Sequence, residues 1–118
     1  MAQLEKKSLD QPDETRPIEK GKVEIVELEG TTVMRTVFEP GWRWSESVKP
    51  FVGGDSCQTH HVGYVISGRM HVVMNDGEEL DLGPGDALQI PPGHDAWVVG
   101  DEPYVGVDFR GGAEYAKA

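Results

Sequence analysis

The chain contains a single cysteine, Cys57. No internal disulfide can form, and the residue is left as a packed thiol, a reactive thiol or a metal ligand. Basic residues are also scarce, with 11 Lys and Arg against 21 Asp and Glu and a net charge of -10. A nucleic-acid backbone or an anionic membrane surface repels such a chain, so neither is expected as a partner. No apolar run is long enough to span a bilayer, and the opening MAQLEKKSLDQPDE has no apolar segment that would direct secretion. A cytoplasmic location is the expectation. Helical periodicity is missing throughout, as are a glycine-rich phosphate loop and a local signature of a nucleophile around Cys57.

What the chain does have is turn residues and short apolar runs. Its 118 residues suffice for one core and too few for two, and they include 15 Gly and 8 Pro. Residues 1–21 are polar, hold Pro12 and Pro17, and read as a flexible arm; 22–110 read as one folded domain and 111–118 as a tail. VEIVEL and TVMRTVF are β-rich runs separated by Gly30, and WRWSESVKPF places Trp42 and Trp44 on one side of an extended segment. His61 to Ser67, then Met70 to Met74, are followed by Asn75-Asp76-Gly77, which marks a hairpin because these residues tolerate positive φ. Leu80 and Leu82, ALQI, DAWVV and YVGVDF supply further short strands between Gly- and Pro-rich turns. The pattern predicts an all-β sandwich or small barrel.

The strings GYVISGRM and LGPGDALQIPPGH resemble the two motifs of the cupins, small double-stranded β-helix (jelly-roll) barrels. Gly85, Pro91 and Gly93 fall on the Gly, Pro and Gly positions of the second motif, and Gly68 on the closing glycine of the first. The resemblance covers about residues 33–109. The usual metal ligands are all replaced: His61 stands at the Glu position, Cys57 and Asp55 at the two preceding His positions, and Ala96 at the last His position, with Gly100 where the motif has Asn.

Alternation along an extended 57–65 segment puts residues 57, 59, 61, 63 and 65 on one side, which the resemblance implies is the barrel interior. Cys57 and His61 then share the inner face, and His94 has the parity of Ala96, two residues nearer the mouth. A thiolate and two imidazoles suit a divalent metal, zinc first, with iron, nickel or manganese as alternatives. The same residues also have plainer readings. Cys57 can pack as a small hydrophobe, His61 can bond a backbone carbonyl, and His94 can cap the turn after Pro92. His60 and His71 have the opposite parity and are expected on outer surfaces. Asp108 can face inward as an oxygen ligand or base, although an acid near a strand end is commonly solvated, and Asp95 is expected to accept a turn hydrogen bond.

Trp42, Trp44, Tyr64, Met70, Val72 and Met74 are the candidate walls of a small-ligand pocket, with packing in the core as the alternative. Two functions follow. One is a metal-binding barrel acting on a small molecule, for which the resemblance allows oxygen-dependent chemistry, isomerisation or metal-assisted hydrolysis; catalytic residues are not assigned. The other is a metal-free barrel that binds or senses a small ligand without turnover. A homodimer is expected through exposed strand edges or the Trp42–Trp44 face.

Overall fold

The computed structural model describes residues 4–110, 112 and 115, and of Phe51 only the backbone. Nine strands carry the architecture: β1 (Glu14–Ile18), β2 (Gly21–Leu28), β3 (Thr31–Phe38), β4 (His61–Ser67), β5 (Arg69–Met74), β6 (Glu79–Leu82), β7 (Ala87–Ile90), β8 (His94–Val99) and β9 (Tyr104–Arg110). They form an antiparallel six-stranded sheet in the order β1-β2-β3-β9-β4-β7 and a three-stranded sheet in the order β6-β5-β8. Inner faces pack on one another in a single core that includes Val23, Ile25, Met34, Val65, Val72 and Leu88. This is the all-β jelly-roll architecture the sequence pattern and the resemblance predict.

Alternation decides which side chains reach that core. Along β4 the odd residues His61, Gly63 and Val65 are buried while Val62, Tyr64 and Ile66 are exposed. In β9 Tyr104, Gly106 and Asp108 face in and Phe109 faces out. Gly68 takes the chain from the larger sheet to the smaller at φ 80°. A Cβ there would collide with the Pro103 carbonyl and Tyr104, so only glycine permits this crossing.

Three expectations change. The segment read as a flexible arm contributes β1, which pairs with β2 from Glu14↔Ile25 to Ile18↔Gly21. Its alternation is hidden in the sequence because the one deeply buried side chain is charged: Arg16 is 8% exposed and bonds the carbonyls of Gly112 and Tyr115. The segment after Trp42 is not wholly extended, since α1 (Trp44–Ser47) and α2 (Lys49–Val52) are single helical turns, too short to show a period. Arg43 alone keeps the extended conformation, which still turns Trp42 and Trp44 inward. Both tryptophans are therefore core residues, so they offer no face for a second copy.

Candidate metal centre and ligand cavity

Two sheets bring the chemistry-bearing residues together. Cys57 lies just before β4 and is paired through the backbone with His94, the first residue of β8: Cys57 N–H donates to the His94 carbonyl at 2.7 Å and Gly93 N–H to the Cys57 carbonyl at 2.7 Å. Directly paired residues project to the same face. His61 follows Cys57 by four residues on the same side of the strand. The outcome is that Cys57 Sγ and one ring nitrogen of each of His61 and His94 lie within 4.8 Å of one another, and all three residues are buried. The Sγ to His61 Nε2 separation is 3.9 Å.

Each imidazole is oriented from behind. His94 Nδ1 lies 2.8 Å from the Pro91 carbonyl oxygen, an obligate acceptor, so Nδ1 carries the proton and the Nε2 lone pair is free. His61 Nδ1 lies 2.8 Å from Asp108 Oδ2 and donates to that carboxylate, leaving Nε2 towards Cys57. Asp108 reaches this position because Gly63 is its cross-strand partner. A Cβ on Gly63 would collide with the Asp108 carboxylate and the Val107 carbonyl. A glycine inside a strand commonly marks a close approach of this kind, and Gly63 was the readable signal for Asp108.

The electrostatics follow from these contacts. Burial by itself would push the Cys57 thiol up, but hydrogen bonds and charge from His61 and His94 outweigh it and bring it down to about 6. Burial by itself would push His61 down, and the bond to Asp108, with help from Cys57, raises it to about 9. Without a metal the pair is a thiolate beside an imidazolium. Burial, aided by the Asp108 charge, holds the Tyr104 phenol well above its ordinary range.

Beside the cluster is a small recess of about 40 Å³, partly open to solvent, whose wall includes His61, His94, Asp108, Trp42, Trp44 and Met70. Trp42 stacks on Phe38 with ring centroids 3.9 Å apart and planes 2° from parallel. Among the described residues no Lys or Arg lines this recess. Trp42 Nε1 is buried without an acceptor. Cys57 itself faces an outer cleft of about 290 Å³, together with Thr59 and Val48.

The six candidate pocket residues divide. Trp42, Trp44 and Met70 line the recess, whereas Val72 and Met74 line a separate one of about 40 Å³ beside Leu80 and Pro91. Tyr64 is 46% exposed on the outer face, because its parity is opposite to that of His61. His60, expected on an outer surface, is instead half-buried with its Nε2 enclosed and without a partner, and it is not part of the cluster. His71 sits on the outer sheet face against Asp81 and Trp97, and Asp95 accepts from the Ser45 and Ala96 backbone N–H groups.

A family model for the cupin domain matches residues 53–109. With the two-sheet jelly roll already described, that decides the matter. The chain belongs to the cupins.

Several solved cupin structures show the same fold. A protein from Rhizobium leguminosarum bv. viciae of unknown function aligns with a TM-score of 0.64 at 19% identity, covering 92% of this chain and 98% of that one. KdgF from Halomonas sp. gives a TM-score of 0.54 at 23% identity over 83% of this chain and 80% of that one. Oxalate decarboxylase of Lactobacillus farciminis, in its formate complex, gives a TM-score of 0.58 at 20% identity over 80% of this cupin. This cupin spans only 30% of the oxalate decarboxylase chain. At these identities the likeness concerns the fold. Comparison with curated proteins gives no match. Within the cupin pattern, Ala96 presents its methyl group to the recess at the last ligand position, and His94 takes the same side two residues earlier.

The donor types fit a metal ion on their own chemistry. Two imidazoles held through Nδ1 and a thiol lowered towards its thiolate could hold a soft-tolerant divalent ion, which would displace the second ring proton of His61.

Proposed function

We propose that this cupin holds one divalent metal ion through Cys57 Sγ, His61 Nε2 and His94 Nε2 and acts on a small molecule in the adjoining recess. The observation that supports this most is the paired fixing of both Nδ1 atoms, by Asp108 and by the Pro91 carbonyl. Zinc is the first choice because of the thiolate, with iron, nickel and manganese as alternatives. A bound ion with an open position supplies Lewis acidity or an acidified water. The protein's own residues do the rest. Asp108 keeps His61 in the ligating tautomer, and the Phe38, Trp42 and Trp44 rings exclude water. The absence of a cation among the described lining residues, in a chain of charge -10, favours a neutral ligand over an anionic one.

A second reading, a metal-free barrel that binds a small ligand without turnover, draws on the mutual satisfaction of Cys57 and His61 as an ion pair. Elemental analysis of the untagged protein beside Cys57→Ser separates the two. The metal reading predicts about one equivalent in the first and its loss in the second. Metal retained by the variant would remove Cys57 from the set, and none taken up even on addition would favour the metal-free barrel.

The homodimer is proposed at a different surface from the tryptophans. Val62, Tyr64 and Ile66 of β4 and Phe109 of β9 form an outward apolar set, 36%, 46%, 50% and 54% exposed. Light scattering at micromolar concentration should give twice the 13.0 kDa chain mass, and a paired Tyr64→Asp, Ile66→Asp change should halve it. A single-chain mass for the unaltered protein refutes this.

A further inference from the structure

Near the C-terminus, where the sequence reads as a polar tail, one aromatic side chain is buried in the barrel mouth. Tyr115 is 4% exposed. Its ring lies 5.2 Å from that of His61, edge-on at 70°, and 6.4 Å from Phe38. It lines both the inner recess beside the histidines and the outer cleft in front of Cys57, as does Trp44. These two rings therefore separate a space of about 40 Å³ from one of about 290 Å³.

Tyr115 is also held in place by a contact independent of its ring. Arg16 Nη1 donates to the Tyr115 carbonyl at 2.6 Å and to the Gly112 carbonyl at 2.9 Å. Arg16 is 8% exposed, and its Nε and Nη2 donate to the Glu14 carboxylate at 2.7 and 3.1 Å. A buried guanidinium spent on two backbone carbonyls of a chain end fixes that end with charge-assisted bonds. Gly112 lies flat against Met34 and Thr32, where a Cβ would come within 3.0 Å of Met34 Cβ. The clamp, the flat approach at Gly112 and the inserted ring all point to the same place.

We propose that Tyr115 is the specificity-determining residue of this cavity: its ring limits ligands to those small enough for the inner recess, and Arg16 positions it. The ligand class is then a compact, uncharged molecule. An elongated molecule would need the two spaces joined. This rests on the small-ligand reading of the recess but not on the metal.

The test uses full-length protein in two forms. In metal-free protein carrying Trp97→Phe, fluorescence reports Trp42 and Trp44, both in the recess wall. Acrylamide quenching should rise severalfold in Tyr115→Ala, stay unchanged in Tyr115→Phe, and rise in Arg16→Met, where the ring is present but unclamped. In cobalt(II)-loaded protein the visible spectrum reports added imidazole and phenylimidazole. The unaltered protein should bind imidazole at least tenfold more tightly than phenylimidazole, and Tyr115→Ala should remove that difference. Unchanged quenching in both Tyr115→Ala and Arg16→Met, or a preserved preference for imidazole in Tyr115→Ala, overturns the proposal. Failure of the unaltered protein to take up cobalt counts against the metal centre alone, and the quenching result still decides the role of Tyr115.

Discussion

His61 and His71 each engage an aspartate through Nδ1 at nearly the same distance, 2.8 Å to Asp108 and 2.6 Å to Asp81. Their surroundings differ in every other respect. The side chains of His61 and Asp108 are 9% and 12% exposed, and the second ring nitrogen faces a buried thiol. Those of His71 and Asp81 are 18% and 77% exposed, and the second nitrogen is taken by Glu79 at 3.4 Å. Water screens the outer pair, so its attraction is worth a fraction of a kcal/mol to about 1 kcal/mol. The inner pair cannot be broken without leaving a charge in the core. The short distance is common to both; burial and an Nε2 turned towards a thiol are what make one of them a candidate ligand.

The largest expected effect comes from breaking the inner pair. Asp108→Asn should lower metal affinity about 10- to 100-fold by releasing the orientation of His61, as measured by chelator competition. An unchanged affinity would mean that His61 is held by something other than Asp108.

A pH experiment sharpens the comparison further. The folded thiol lies at about 6, below its ordinary 9.0, so the stability Cys57 contributes is full above pH 9 and is lost as pH falls towards 6. The folded imidazole lies at about 9, above its ordinary 6.5, so the contribution of His61 is full below pH 6.5 and is lost as pH rises towards 9. Between those limits the two slopes oppose each other. Denaturant unfolding of metal-free protein should therefore show no net slope from this pair, whereas Cys57→Ser should expose a decline in stability with rising pH. A variant whose stability rises over that range contradicts the pairing.

The smallest effect is expected at the surface. Asp81→Asn should change stability by less than about 0.5 kcal/mol and leave metal affinity untouched. A change as large as that of Asp108→Asn would erase the distinction between the two pairs.

The inner half of the site was legible in the sequence because strands alternate. Turn residues bounded β4 and β7 correctly, and parity put Cys57 and His61 on one side. The same parity opposes Tyr64 as a pocket residue, since it lies three positions from His61 on the outward side. His94 could be read across the Pro-Pro-Gly turn only because the backbone bridge to Cys57 preserves the count. Asp108 was visible only as a possibility: its partner is 47 residues away, and only Gly63 hinted at the close approach. β1 and Tyr115 were hidden for a shared reason. Each is held by Arg16, a charged residue whose burial depends on carbonyls about 100 residues later in the chain, and local patterning carries no trace of such a contact.

X-ray absorption at the zinc edge of metal-loaded protein tests the central claim most directly. The account predicts one sulfur at about 2.3 Å together with nitrogen scatterers at about 2.0 Å that carry the outer-shell signature of imidazole. A shell of light atoms alone, with no sulfur, would contradict it.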